Sequence, residues 1–153
     1  MYRQIIKPLR EEIMKWLQVP VFAQNQIKND TEYPYITYYM LEDWLPVYFQ
    51  PTKEQYKVQI QFKVVSNNEE EQKELKSKLR RLFYLEEPFN YLKSNGVALF
   101  NVESLPSPPL YTEAFYIFDD GWTMTFSVDV PEDDFTVKGG VDAVNPNIKM
   151  EDK

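Results

Sequence analysis

The sequence predicts an α+β domain: a largely antiparallel sheet covered on one face by two or three helices, with an extended acidic C-terminal tail. Three observations carry this prediction. Residues 5–17 repeat apolar side chains at helical spacing, residues 56–64 alternate apolar and polar side chains, and residues 68–83 return to helical spacing behind a polar cap. At 153 residues one core is expected, since a chain of about 150 residues buries about 68–70% of its unfolded surface. We read 1–130 as that single domain and 131–153 as a flexible acidic tail or arm.

In the first segment Ile5, Leu9, Ile13, Trp16 and Leu17 form one apolar stripe, with Arg10, Glu11, Glu12 and Lys15 on the other side. Pro8 lacks an amide hydrogen, so the regular helix is expected over Pro8–Leu17, with Pro8 in its first turn or at a kink after a loose leading turn. Val19, Val21, Phe22 and Ala23 begin a short extended piece, and the polar run Gln24 to Glu32 reads as a loop. Tyr33 to Leu41 is dense in aromatic and β-branched residues and reads as a strand. Its apolar content on both faces implies burial on both sides or an oligomer contact. From Glu42 to Lys53, two prolines interrupt Trp44, Leu45, Val47, Tyr48 and Phe49, and a long aromatic loop is expected.

The clearest strand follows: Tyr56, Val58, Ile60, Phe62 and Val64 alternate with Lys57, Gln59, Gln61 and Lys63. Ser66-Asn67-Asn68 supplies cap residues for a helix over 68–83, with Glu69, Glu70 and Glu71 at its positive end and Arg80 and Arg81 near its other end. Its buried stripe is Leu75, Leu79, Leu82 and Phe83, and the acidic first turns are expected in solvent. Residues 86–96 read as a short helix stopped by Asn95-Gly96, and Val97 to Val102 as a strand broken by the prolines at 106–109. A closing hairpin is expected, with arms Tyr111–Phe118 and Trp122–Val128 around a turn at Asp119-Asp120-Gly121. Beyond Val130 six acids and three lysines accompany only isolated apolar side chains, too few to offset the entropy of ordering the chain by itself.

The composition narrows the chemistry. There is no cysteine and no histidine, which removes thiol nucleophiles, thiolate metal sites, imidazole bases and the commonest metal ligand. Carboxylates, lysines, tyrosines and six serines remain, with no Ser–Lys or paired-carboxylate signature among them. No catalytic, cofactor-binding or metal residue is assigned, no cofactor is expected, and the chain is read as a non-enzyme. Glu69, Glu70, Glu71 and Glu74 are read as a solvated helix start, because successive helical residues point about 100° apart and do not converge on one ion. Asp119 and Asp120 are read as turn residues.

A net charge of -7 with scattered basic residues argues against specific nucleic-acid binding. Apolar runs are far shorter than the ~20 residues a membrane helix needs, and the start MYRQIIKPLREE lacks a signal-peptide core. No membrane association is expected, and the chain is expected in the cytoplasm of the cell that makes it. The 11 Tyr, 10 Phe and 3 Trp divide between core and contact surface, since aromatic side chains are enriched at protein–protein contacts. Tyr35, Tyr38, Tyr39, Trp44, Tyr48 and Phe49 are the candidate subunit-interface residues.

The order of segments carries a resemblance. An amphipathic N-terminal helix precedes Pro34-Tyr35-Ile36-Thr37-Tyr38 and the strand Tyr56 to Phe62. An acidic-start helix, the phrase Tyr91-Leu92-Lys93-Ser94-Asn95-Gly96-Val97 and the strand Trp122 to Val128 complete it. Over residues 3–130 this resembles the neck or tail terminator proteins of long-tailed phages and prophages. The resemblance implies a virion structural protein, assembled in the host cytoplasm, that forms a ring, commonly a hexamer, at the top of the tail tube. Such a ring ends tube polymerisation, joins tail to head connector, and lets DNA pass its lumen without specific binding. Its implied partners are further copies of itself, the tail tube protein and a head-completion or connector protein. An adjacent head-completion role and, in a different class, a small-molecule or peptide-binding module with an aromatic pocket stay open.

Overall fold

A computed structural model describes residues 2–46, 55–105, 110–112 and 117–129, with main chain alone at 42–46, 55 and 110–112. The chain opens with helix α1 (Tyr2–Leu17), followed by strand β1 (Val21–Ala23) and a 3-10 turn at Gln24–Gln26. Two long strands, β2 (Tyr35–Pro46) and β3 (Gln55–Ser66), lead into helices α2 (Glu69–Leu82) and α3 (Glu86–Ser94). Strands β4 (Val97–Ser104), β5 (Leu110–Thr112) and β6 (Ile117–Asp129) follow. The strands form one sheet in the order β1-β2-β3-β6-β4, with β5 also on β6. Every pairing is antiparallel except β1 with β2.

The expected architecture is present, and alternation along the strands explains it. Val58, Ile60, Phe62 and Val64 of β3 and Met124, Phe126 and Val128 of β6 are all buried, and they meet Ile36 and Tyr38 of β2 beneath the helices. Burying such a face is the main driving force for holding the layers together, at roughly 25 cal/mol per Å² of apolar surface. Ile5, Leu9, Ile13 and Leu17 of α1 and Leu75, Leu79 and Leu82 of α2 complete the core. The opposite face of the sheet carries Lys57, Gln59, Gln61 and Lys63 beside Thr123, Thr125 and Ser127.

The helices follow their caps. The Asn68 side chain accepts a hydrogen bond from the Glu71 amide at 3.0 Å, and the Ser66 hydroxyl donates to Glu71 Oε1 at 2.8 Å, so α2 begins where the polar run predicts. Glu69, Glu70 and Glu71 are exposed, as expected for the solvated start. Gly96 takes φ 76°, the left-handed conformation that ends α3 without a side-chain penalty.

Five expectations are corrected. Helix α1 starts at Tyr2, not near Pro8, and carries the proline inside; burial of Ile5, Ile6, Pro8 and Leu9 offsets the missing main-chain hydrogen bond. Trp16, assigned to the apolar stripe, is 41% exposed, while Glu12 is buried and accepts a hydrogen bond from Trp16 Nε1 at 3.2 Å. Residues 42–46, expected in a loop, continue β2 with register shifts between Met40 and Glu42 and between Glu42 and Leu45. The bulged pairing there accommodates Pro46, because β1 covers only Ile36–Tyr38 and the outer side of β2 needs no amide from Pro46. The remainder of that expected loop, 47–54, lies outside the described residues. Strand β4 runs two residues further than Val102, to Ser104.

The largest correction concerns Asp119-Asp120-Gly121, which makes no turn. These residues lie inside β6, paired with Val65, Val64 and Lys63 of β3. The arm that folds back is β5, whose Leu110, Tyr111 and Thr112 pair with Asp119, Phe118 and Ile117. Local turn chemistry loses here to a thirteen-residue strand held on both sides by neighbours. The acidic segment 131–153 also lies outside the described residues.

Candidate subunit interface

The sheet sorts the six candidate residues by pleat and position. Tyr35 and Tyr38 are 9% and 8% exposed and belong to the interior of the folded chain. Tyr35 stacks on Tyr33 with ring centroids 5.7 Å apart and meets Phe22 edge-on at 6.1 Å. Burial pushes its hydroxyl above the ordinary range, aided by Tyr33 and Asp119. Tyr38 accepts a hydrogen bond from the Tyr2 hydroxyl at 3.5 Å. Its own pKa is pushed up to about 12, first by burial and then by that bond, against an opposing pull from Arg10.

Tyr39 alternates to the other face and is 53% exposed. The strand therefore changes along its length: through Tyr38 it is buried on both sides, and past Tyr38, where β1 has ended, Tyr39 is exposed while Met40 on the other face still packs against the core. Leu41 is exposed like Tyr39. Trp44 lies in β2 by its main chain, its side chain is outside the described residues, and so are Tyr48 and Phe49 altogether.

The far edge of the sheet holds a residue that sequence reasoning missed. Phe100 sits at a register shift between Leu99 and Asn101 in β4 and is 59% exposed. Val97 and Leu99 pair with Val128 and Phe126 of the buried face, so alternation turns Phe100 to the open face, and the register shift after it keeps Asn101 on that face opposite Thr125. The Lys57 ammonium lies 3.8 Å from its ring centroid, in cation–π contact. Nothing in the residue pattern of 97–102 marks the bulge, but alternation from Val97 and Leu99 is the signal that could have picked out Phe100 as an outward ring.

Free main-chain edges remain on both sides of the sheet among the described residues, at β4 on one side and, past the short outermost strand β1, at β2 on the other. β4 pairs with β6 alone, and β2 beyond Tyr38 pairs with β3 alone. Unpaired strand edges bearing exposed rings are suited to taking up a further strand. Between them the open face is polar, with rows such as Tyr39–Gln61–Thr123–Glu103 crossing the sheet. In that face the Thr123 hydroxyl and one carboxylate oxygen of Asp119 are buried without a hydrogen-bond partner among the described residues.

Other features offer less chemistry. Among the described residues no group of three carboxylates is placed to hold a metal ion, and no helix is long and apolar enough to cross a membrane. A hollow of about 460 Å³ lies between Gln18–Pro20, Tyr33 and Leu75, rimmed by Glu32, Glu71 and Glu74.

The class that these features define is an α+β single-sheet protein in which, among the described residues, an exposed aromatic ring lies beside the free main-chain edge on each side of the sheet, Tyr39 on one side and Phe100 on the other. No protein-family model matches the chain, and no curated protein matches it.

Proposed function

We propose that this chain is a structural subunit of a long-tailed phage particle, forming a ring at the top of the tail tube that ends tube growth and joins the tail to the head connector. One observation supports the reading most: among the described residues the two sides of the sheet end in unlike free edges, β4 with Phe100 on one side, and on the other the part of β2 from Tyr39 onward that the short outermost strand β1 leaves uncovered. Pairing one edge of a copy with the other edge of the next is a heterologous contact, and such contacts generate rings when the rotation closes. The order of elements that resembles terminator proteins agrees with this reading. The net charge of -7 would repel DNA from a lumen wall rather than hold it.

In this reading a terminating subunit binds the last tube ring by one face and presents a different face that tube protein cannot pair with. No bond to DNA and no catalysis are required. The test is electron microscopy of particles made without this protein. Overlong tails detached from heads are the expected result. Tails of normal length carrying heads would overturn it, and leaking heads beside normal free tails would move the protein to the head-completion layer.

A second reading is a binding module, favoured by the acidic-rimmed hollow at Tyr33 and Leu75. Its expected ligand is a cationic peptide or small amine, and saturable calorimetric binding by a chain that stays monomeric would select it.

A further inference from the structure

We propose that the groove between the C-terminal halves of α1 and α2 is the docking site for this chain's own residues 132–137, with Phe135 seated on the apolar floor and Glu132, Asp133 and Asp134 against Lys78 and Arg81. The groove is a hollow of about 150 Å³ lined by Trp16, Leu17, Lys78, Arg81, Leu82 and Leu85. An apolar space of about that size holds a benzene-sized ring. Two of its walls are large side chains left in solvent, Trp16 at 41% and Leu85 at 45% exposure.

The charge around the groove specifies the visitor. Lys78 and Arg81 are exposed and take part in no ion pair among the described residues, whereas Lys15, Lys73 and Lys76 each have a carboxylate partner. An occupant that is apolar at one point and acidic beside it satisfies both features. Residues 132–137 read Glu-Asp-Asp-Phe-Thr-Val, three carboxylates directly before an aromatic ring.

The attachment point puts this segment within reach. Asp129, the last described residue of β6, is held beside the start of α1: its amide donates to Gly96 O at 2.8 Å, and Gln4 Nε2 donates to its carbonyl at 2.9 Å. From Gln4 to Trp16 the helix advances about 18 Å at 1.5 Å per residue. Extended chain covers about 20 Å from Asp129 to Phe135 and about 27 Å to Val137. The segment therefore arrives at the groove only if it runs nearly straight along α1, which places its carboxylates just short of the ring position.

The test uses the full chain with p-benzoylphenylalanine placed at position 135 and irradiated at low concentration. The expected product is a cross-link within one chain to the peptides containing Trp16–Leu17 or Leu82–Leu85. Its yield is expected to fall about fivefold in the Lys78→Glu/Arg81→Glu variant, the effect of losing two exposed ion pairs and reversing their sign, and to fall in high salt. Cross-links elsewhere, cross-links only between two chains, or a yield indifferent to both charge reversals would overturn the proposal. A second measurement leaves the groove untouched: the Trp16 indole NMR signal of the parent chain should move on Phe135→Ala, and an unmoved signal likewise overturns it. Neither readout depends on ring formation or on a phage particle.

Discussion

A methyl group built on Gly121 would lie 1.7 Å from the carbonyl oxygen of Phe62 and 2.7 Å from the Cα of Lys63. Both are main-chain atoms of the neighbouring central strand, so neither can swing aside. The glycine is there because β6 and β3 approach closely at this point, and not because the chain turns.

Gly121→Ala is therefore expected to cost about 3 kcal/mol or more, the upper range for overpacking against rigid surroundings. A glycine needed only for a compatible surface turn would cost about 1 kcal/mol or less on the same change. Urea unfolding of the two proteins distinguishes the cases.

Asp120 points from the same strand towards α2, where Lys76 pairs with its carboxylate and also covers the Trp122 ring at 4.8 Å. The Trp122 indole donates to Lys76 O at 2.8 Å, and Gln72 Nε2 donates to Val64 O at 3.2 Å, fastening the helix to the strands. Lys76→Ala leaves a mostly buried carboxylate without its cation and is expected to cost about 1–3 kcal/mol. The Lys76→Ala/Asp120→Ala double variant should lose less than the sum of the singles, as a double-mutant cycle by chemical denaturation reads.

Asp119 faces the open side of the sheet. Burial raises its pKa, Lys63 lowers it and Asp120 raises it again. A carboxyl whose folded pKa exceeds its unfolded value favours the folded state below the unfolded value of about 3.9, and that contribution is lost as pH rises through the folded value. Asp119→Asn is therefore expected to be more stable than the parent at pH 7, with the difference shrinking as pH falls through the raised folded value towards about 4. A thermal-unfolding series across pH 3–7 measures it; a difference that widened on acidification would contradict the sign.

Adjacent tyrosines should separate folding from assembly. Tyr38 is a core side chain, and Tyr38→Ala is expected to cost about 3 kcal/mol by leaving a cavity. Tyr39→Ala changes an exposed position and should stay within about 0.5 kcal/mol of the parent. In sedimentation, Tyr39→Ala and Phe100→Ala are expected to shift oligomer towards monomer at unchanged fold. Trp44→Ala and Tyr48→Ala are expected to weaken ring assembly or tail joining in the same way.

Much of the fold is legible along the chain where one physical requirement acts alone. Strand β3 shows as alternation because one side of it is wet; α2 shows as a cap, an acidic start and a stripe because its other face is solvent. Trp16 and Glu12 are misread because the register of a helix stripe does not say how far neighbouring elements extend over it. Of the candidate contact surface, Tyr39 is legible as an aromatic on a strand, while its separation from Tyr35 and Tyr38 depends on where β1 stops. Phe100 is legible by alternation from Val97 and Leu99, whereas the bulge after it is not, because a bulge is a property of two strands together.

The order of helices and strands, the composition without imidazole or thiol, and the buried side of each long strand were determined by local residue pattern, since periodicity and side-chain chemistry travel with the chain. Which edges stay unpaired, which rings emerge at them, and why Asp119-Asp120-Gly121 runs straight were decided only by the assembled sheet. Pairing between distant strands supplies many hydrogen bonds and much buried area at once, and that sum outweighs the turn preference of three residues.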